Sequence, residues 1–214
     1  YSCHDNGDYS LSFDGIDDYV SSDIIEISLP FKLDAKFKYN GIINDNYQSI
    51  VNQGVFGYAL FLKDDEIWFG KEGNNMAESG IYIQDDDWHD LEINYDGEIV
   101  SFILDNQAPI LIDYVREFEY DEGMNFTIGA VYNYDLNEPN YAYWFNGEID
   151  NIQIWNNQNL DYSYNFNSAS GNILYDYSGN QNHGTIYGAE WIENLILGDI
   201  NEDFDLNIQD IIIM

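Results

Sequence analysis

Residues 88–97 read WHDLEINYDG, and this stretch decides the fold class. Apolar side chains at positions 91, 93 and 95 alternate with polar ones at 90, 92 and 94. Successive side chains of a β-strand point to opposite faces, so this period of two predicts a half-buried strand. The Asp96-Gly97 pair that follows has the residue types of a tight turn.

The same period of two recurs elsewhere in the chain. Residues 31–40 alternate Leu, Ala, Phe and Tyr with Lys and Asp, and turn pairs stand at Asp14-Gly15 and Asn146-Gly147. Further short β-rich runs are predicted at 56–63, 66–70, 80–84, 98–105, 108–115 and 125–130. About a dozen short strands joined by tight turns, with no helical periodicity before the C-terminal segment, indicate an all-β, antiparallel sandwich.

The composition limits the classes of partner. The chain has 214 residues, of which 45% are hydrophobic and 17% aromatic, enough for one substantial core with appendages. Forty Asp and Glu against six Lys and Arg give a formal net charge of −34. Such a surface repels phosphate backbones and anionic lipid headgroups, so nucleic acid and membrane surfaces are excluded as partners. Cations, neutral glycans and a saline environment remain compatible with it.

Three segments carry a resemblance to a known family. They are SFDGIDDYV at 12–20, WHDLEINYDG at 88–97 and FNGEIDNIQIW at 145–155. In this order they resemble the opening, middle and closing motifs of laminin-G-like, concanavalin A-type domains, and the resemblance spans about residues 8–157. It implies a jelly-roll sandwich. It implies less about function, because this fold hosts lectins, adhesion modules, structural domains and hydrolases.

The resemblance also suggests how the chain is divided. Residues 161–194 resemble the strands that precede the opening motif in this family, yet no second opening motif follows them. Either they pair back onto the first sandwich or they are the remnant of a second copy. The predicted domains are therefore a jelly roll at 1–160, additional strands at 161–194 and a calcium-binding segment at 195–214.

The last residues carry a calcium-loop pattern. Oxygen-bearing side chains fall at positions 1, 3, 5, 7, 9 and 12 of a loop that can wrap a hard cation: Asp199, Asn201, Asp203, Asp205, Asn207 and Asp210. Residues 198–214 resemble half of a dockerin module, which implies a backbone ligand at Asp205, side-chain ligands at the others and the start of a helix. Phe204 stands where that family has glycine. One loop does not make a cohesin-binding face, so cohesin is not expected as a partner of this fragment.

A second calcium site is predicted within the sandwich. Asp150 shares strand parity with Ile152 and Ile154, so its carboxylate is expected on the buried face and needs a partner there. The family resemblance adds further candidate ligands, which are Asp14, the carbonyl of Gly15, and Asp17 or Asp18. The alternative is that Asp150 accepts backbone hydrogen bonds while Asp17 and Asp18 face solvent.

No catalytic pattern emerges from the sequence. The run EIDNIQ at 148–153 is similar to the E-x-D-x-x-E strand of laminarinase-type hydrolases, but its last position is Gln153, which cannot act as a general acid. The chain is therefore expected not to be an enzyme.

The loop from Tyr132 to Trp144 is the predicted ligand site. It combines aromatic rings with amide groups in a region of turn chemistry, and the candidates are Tyr132, Tyr134, Asn140, Tyr141, Tyr143 and Trp144. The alternative is a loop packed over a sheet edge. Trp88 and Trp155 are expected in the core.

The leading functional hypothesis is a calcium-stabilised, non-catalytic module of a secreted, extracellular protein that binds a glycan or a cell surface. A protein-binding adhesion domain and an accessory domain of a polysaccharide-acting hydrolase are the alternatives.

Overall fold

The structure is a computed structural model, which describes residues 8–24, 28–43, 47–54, 57–71, 76–119, 124–135 and 138–194. All regular secondary structure in these ranges is β, arranged as two antiparallel sheets and one hairpin. The predicted all-β, antiparallel sandwich is therefore confirmed. The predicted calcium loop and helix start at 195–214 lie outside the described residues.

The strands are numbered in chain order. Sheet A comprises β1 (Tyr9–Asp14), β3 (Phe31–Tyr39), β8 (Trp88–Tyr95), β9 (Ile99–Leu104), β10 (Ile110–Asp113), β14 (Asn146–Asn156), β15 (Asn159–Tyr164) and β18 (Glu190–Glu193). Sheet B comprises β2 (Tyr19–Asp23), β4 (Tyr47–Gln53), β5 (Tyr58–Lys63), β6 (Glu66–Lys71), β7 (Ala77–Tyr82), β11 (Asn125–Ile128), β16 (Ile173–Leu174) and β17 (Gly184–Tyr187). The hairpin comprises β12 (Val131–Asp135) and β13 (Glu138–Ala142).

Sheet A runs in the order β10-β9-β8-β3-β14-β1-β18, with β15 paired to the second half of β14. Sheet B runs in the order β16-β17-β2-β11-β4-β5-β6-β7. The strands of residues 161–194 thus add to both sheets, because β17 pairs with β2 and β18 pairs with β1. The three-domain division of the chain stays a prediction.

The core lies between the two sheets, and β3 illustrates why. Phe31, Leu33 and Phe37 are no more than 1% exposed, whereas the intervening lysines and Asp34 point away from the core. Each fully buried side chain of this size contributes about 1.5–3 kcal/mol through the apolar area removed from water. The alternation therefore fixes which face of sheet A is buried and which is outward.

Sheet B differs because the hairpin lies over its outward face. The run Tyr58–Leu62 of β5 is buried at every position. Ala59 and Phe61 pack on Val131 of β12 in a second apolar cluster outside the main core. A continuous apolar run is the pattern of a strand that is covered on both faces.

Candidate binding groove and metal-binding cluster

The outward face of sheet A carries a groove of about 710 Å³, which we call the sheet A groove. Its floor is one row of paired side chains across five neighbouring strands, Trp155, Lys32, Asn94, Ser101 and Leu111. Side chains of Pro30, Ile99, Asp96 and Gln158 complete the rim. The volume falls in the range of roughly 300–1,000 Å³ that is typical of small-molecule sites.

Lys32 is the central polar group of the groove. Its Nζ lies 3.1 Å from Asp34 Oδ2 and 2.9 Å from Glu92 Oε2, and 4.8 Å from the centre of the Trp155 ring. Burial acts to lower the pKa of Lys32, but hydrogen bonds from the ammonium to Glu92 and Asp34 outweigh it, and the pKa is raised. Lys32 is therefore a fixed cation at neutral pH.

A smaller pocket of about 280 Å³ lies beside the groove on the same face. It is lined by Asp34 and Glu92, and by Asp90, Asn106 and Asn151. Hydrogen bonds from Lys32 and then from Asn94 Nδ2 lower the pKa of Glu92, so this carboxylate is ionised as well. Polar groups of opposite charge thus stand where the two pockets meet.

The expectation of core positions for Trp88 and Trp155 is wrong. Both indoles are only partly buried and lie on the outward face, Trp155 near Lys32 and Trp88 with the Lys36 Nζ 5.2 Å from its ring centre. The sequence did contain an indication of the outward position of Trp155, because this residue directly follows the buried Ile154 and alternate residues of a strand face opposite sides. The groove itself was missed by sequence reasoning.

Asp14, Asp17 and Asp18 form a cluster that could hold a metal ion, with carboxylate oxygens within 4.8 Å of one another. Asp14 Oδ1 accepts hydrogen bonds from the backbone N–H groups of Ile16 (2.8 Å) and Asp17 (3.3 Å), which shapes the turn after β1. The carboxylate of Asp18 accepts the backbone N–H of Asp14 at 2.9 Å. The structure thus brings together three of the five side chains and carbonyls predicted for this site.

Asp18 is the buried member of this cluster. Burial is the largest cause that raises its pKa to about 6, and the charges of Asp14 and Asp17 act in the same direction. Gly188 closes the turn before β18 over the carboxylate, and a Cβ at Gly188 would lie 1.9 Å from Asp18 Oδ1. The site therefore concentrates negative charge that a bound cation would offset.

Asp150 does not join the cluster, and the parity argument for it is wrong. A β-bulge falls between Ile149 and Asn151, so Asp150 is an extra residue and the alternation restarts after it. Its carboxylate forms an ion pair with Lys36 on β3, a partner that differs from both the calcium ion and the backbone N–H groups considered from the sequence. Asn146, four residues earlier, is the β14 residue that pairs with Asp14, which places Asp150 about 13 Å further along the strand.

The carboxylates of the EIDNIQ run are held by local partners. Glu148 accepts a hydrogen bond from Ser10 Oγ at 2.8 Å and lies 3.8 Å from Lys38 Nζ. Asp150 is paired with Lys36 as described. Neither carboxylate lines the sheet A groove or the smaller pocket.

The aromatic side chains of the predicted ligand loop pack against sheet B. Tyr132 is 9% exposed, and Tyr143 lies between Tyr47 and Phe61 with ring centres 5.4 and 5.9 Å away. Tyr141 stacks on Tyr19 at 3.9 Å. Trp144 is partly buried beside them, 6.1 Å from Tyr141.

For Tyr134 and Asn140 the structure describes only the backbone of the hairpin. A ligand-binding role for this loop stays a prediction. Asp199, Asn201, Asp203, Asp205, Asn207 and Asp210, the candidate ligands of the C-terminal loop, lie outside the described residues. Within the described ranges, no helix has the length and apolar character needed to span a membrane.

Comparisons with known proteins extend the fold assignment. No protein-family model matches the sequence, and no curated protein matches it either. Among solved structures, a proposed carbohydrate-binding protein from Bacteroides ovatus is similar over 86% of this chain, with 14% identity and a TM-score of 0.67. The similar region is 59% of that protein, so this chain spans less than two thirds of its length.

Two further structures resemble the chain. The LG1–3 region of the laminin α2 chain is similar over 88% of this chain and 31% of that one, with 15% identity and a TM-score of 0.55. Domain 4 of an extracellular arabinanase from Geobacillus stearothermophilus, in complex with arabinotriose, is similar over 69% of this chain and 70% of that one, with 14% identity and a TM-score of 0.52. At such identities the likeness establishes the fold alone, which is the predicted laminin-G-like, concanavalin A-type jelly roll.

Proposed function

We propose that this chain is a non-catalytic carbohydrate-binding module and that the sheet A groove holds the sugar. The composition of the groove carries the proposal, because the indole of Trp155 and the apolar Leu111 line the same groove as the ammonium of Lys32 and the amide of Asn94. A sugar ring has an apolar face of C–H groups and an edge of hydroxyl groups. It is recognised by a flat aromatic surface together with a few convergent donors and acceptors.

The similar structures support this choice of ligand. One is described as a proposed carbohydrate-binding protein, and another is described in complex with arabinotriose. The arabinotriose complex is a domain of an extracellular enzyme, and the similar region is 59% of the Bacteroides ovatus protein, which together support a module of a larger, extracellular polypeptide. An extracellular location is therefore part of the proposal.

The test compares two tryptophans on the outward face of sheet A. Each lies near a lysine, Trp155 near Lys32 and Trp88 near Lys36, but only Trp155 lines the groove. Wild type, Trp155→Ala and Trp88→Ala are screened for binding to soluble polysaccharides by affinity electrophoresis and on a glycan array. We expect Trp155→Ala to weaken binding about 30-fold, the effect of losing a central aromatic contact worth about 2 kcal/mol. Trp88 lines neither pocket, so Trp88→Ala is expected to bind like wild type.

The predicted loop site is the rival location. If Tyr141→Ala and Trp144→Ala abolish binding while Trp155→Ala preserves it, the sugar occupies the hairpin face and the groove assignment is wrong. If wild-type protein binds none of the glycans, the carbohydrate function itself is overturned, and a protein partner takes its place.

We further propose that Ca²⁺ binds at Asp14, Asp17 and Asp18. The donor set fits a hard divalent cation, because it offers carboxylate oxygens that already lie close together around a buried member. At a Ca²⁺ concentration of about 100 times the dissociation constant, the melting temperature should rise by about 5 °C or more.

Two variants of the full chain separate the two predicted calcium sites. Asp17→Asn weakens the cluster at the end of β1, and Asp203→Asn weakens the C-terminal loop. A rise in melting temperature that disappears only in Asp17→Asn supports the first site. A rise of undiminished size in Asp17→Asn, or the lack of any rise in wild type, contradicts calcium binding at Asp14, Asp17 and Asp18.

A further inference from the structure

We infer that the ligand of the sheet A groove is an uncharged, linear oligosaccharide that continues from the groove into the smaller pocket. This inference rests on the proposed carbohydrate function and narrows it to a class of glycan. It depends on the position of the two pockets and on the charges between them.

The two pockets follow one another along β3 and β8 on the same outward face, and we call the line through both of them the track. Lys32 pairs with Asn94 in the row that floors the groove, and Asp34 pairs with Glu92 in the row that begins the smaller pocket. Two further residues along, Asn151 pairs with Lys36 at the far side of the smaller pocket. The rows of Lys32 and Lys36 are about 13 Å apart at the rise of a strand. A single sugar ring does not span that distance, whereas a chain of several rings does.

The boundary between the pockets is the ion pair of Lys32 with Asp34 and Glu92. Lys32 lines the groove, while both carboxylates line the smaller pocket. A chain that occupies both pockets therefore crosses this ion pair, where its hydroxyl groups meet an ammonium donor and carboxylate acceptors. Hydrogen bonds to ionised groups are stronger than those between neutral groups.

The same charges disfavour an acidic glycan. Among the described residues that line the two pockets, Lys32 is the basic one, and two carboxylates already share it. Asp90 and Asp96 add negative charge at the two ends of the track. A ligand carboxylate would approach this surface against the field of a chain with a formal charge of −34.

The test measures affinity as a function of ligand length by isothermal titration calorimetry on the full chain. The probes are the oligosaccharides, from disaccharide to hexasaccharide, of whichever neutral polysaccharide wild type binds in the first screen. Asn151→Ala and Asn106→Gly remove polar side chains from the smaller pocket, and glycine suits the positive φ of +56° at position 106. Asn172→Ala, an exposed asparagine next to sheet B, is the matched control.

We expect the hexasaccharide to bind wild type more tightly than the disaccharide. Asn151→Ala and Asn106→Gly should each weaken hexasaccharide binding about tenfold, the effect of losing one or two hydrogen bonds, and leave disaccharide binding unchanged. Asn172→Ala should change neither. Equal affinity for both lengths, or variants that weaken both ligands alike, would overturn the spanning ligand but leave the carbohydrate function intact.

The charge of the ligand is tested with polygalacturonate and alginate. We expect wild type to bind neither as tightly as the neutral polysaccharide, even at high salt, where screening weakens the repulsion. Tighter binding of either anionic glycan would overturn the inference while the carbohydrate function stands. No binding to any glycan, neutral or acidic, would instead remove the proposed function.

Discussion

The outward faces of the two sheets differ, because that of sheet A is open and that of sheet B is covered by other parts of the chain. On β3 of sheet A the outward side chains alternate with core residues. Three of the six Lys and Arg residues lie on this outward face, which is open as a groove. On sheet B the hairpin of β12 and β13 covers the outward face, and Phe61 is as buried there as a residue of the main core.

This difference indicates where a candidate binding site lies in a sandwich that is rich in aromatic residues. The hairpin loop has the higher density of aromatic residues, yet its described rings pack against one another and against sheet B. The face with fewer rings keeps a partly buried indole beside polar groups. In this protein a high density of aromatic residues therefore indicates packing against a sheet, whereas a single ring on an open face indicates a candidate binding site.

The largest expected effect contrasts one residue from each face. Phe61→Ala should destabilise the protein by about 3–5 kcal/mol, because it leaves a cavity under the hairpin. Leu111→Ala should cost within about 0.5 kcal/mol, because Leu111 is 61% exposed on the groove floor. Guanidinium denaturation with equal slopes for the variants measures both. Similar losses for the two variants would contradict the contrast between a covered and an open face.

A smaller loss of stability is expected when the ion pair of Lys36 with Asp150 on sheet A is broken. Lys36→Met leaves the buried carboxylate of Asp150 without its cation and should destabilise the fold by about 2 kcal/mol. Burial already raises the pKa of Asp150 despite Lys36. The loss should therefore shrink as the pH falls and Asp150 takes up a proton.

The matched control for this variant is the pair Lys36→Met with Asp150→Asn, which replaces the charge by a neutral amide. Denaturation of the double variant at neutral pH should recover most of the lost stability. A double variant as unstable as Lys36→Met would mean that the lysine stem, and not the ion pair, stabilises this part of sheet A.

A third prediction concerns the turn that brings Asn106 to the smaller pocket. His89 Nδ1 lies 2.9 Å from Asp105 and Nε2 lies 2.9 Å from Asp85. Burial acts to lower the pKa of His89, but hydrogen bonds to Asp105 and Asp85 outweigh it, and the pKa is raised. Because the folded state holds the proton more tightly, this stabilisation is complete below the unfolded pKa of about 6.5.

Stability should accordingly decline as the pH rises from about 6.5 through the raised pKa of His89. The effect is expected to be modest, because Asp85 is exposed. Thermal unfolding across this range checks it, with His89→Gln as the variant in which the decline disappears. An identical pH profile for the variant would show that another group causes the decline.

The sequence predicted the fold well because local patterns determine strands. The alternation in residues 31–40 and 88–97 reappears as β3 and β8, which pair with each other in sheet A. The position of Asp150 could not be predicted in this way. A bulge adds one residue to a strand, so the residues after it face the opposite way from what the alternation before it predicts. The local sequence has no pattern that predicts this bulge.

The groove could not be predicted because it depends on register. Lys32 and Trp155 are far apart in the chain and become neighbours only when β3 pairs with β14 in one particular alignment. Asn94 and Ser101 join them through two further registers. The alternation within each strand predicts that each of these side chains faces outward. It does not predict that they lie side by side in one row across the sheet.

A small expected effect on sheet B could reverse the comparison of the two faces. Tyr187 is 45% exposed and stacks on Tyr19 at 4.5 Å, so its ring is one end of the stack that includes Tyr141. Tyr187→Ala should cost about 0.5–1.5 kcal/mol of stability, the value of an aromatic pair, and leave glycan binding unchanged. Thermal unfolding and affinity electrophoresis on the same variant separate the two readouts. A loss of glycan binding as large as that expected for Trp155→Ala would mean that the stacked tyrosines bind the sugar, and sheet B, not sheet A, would then carry the recognition face.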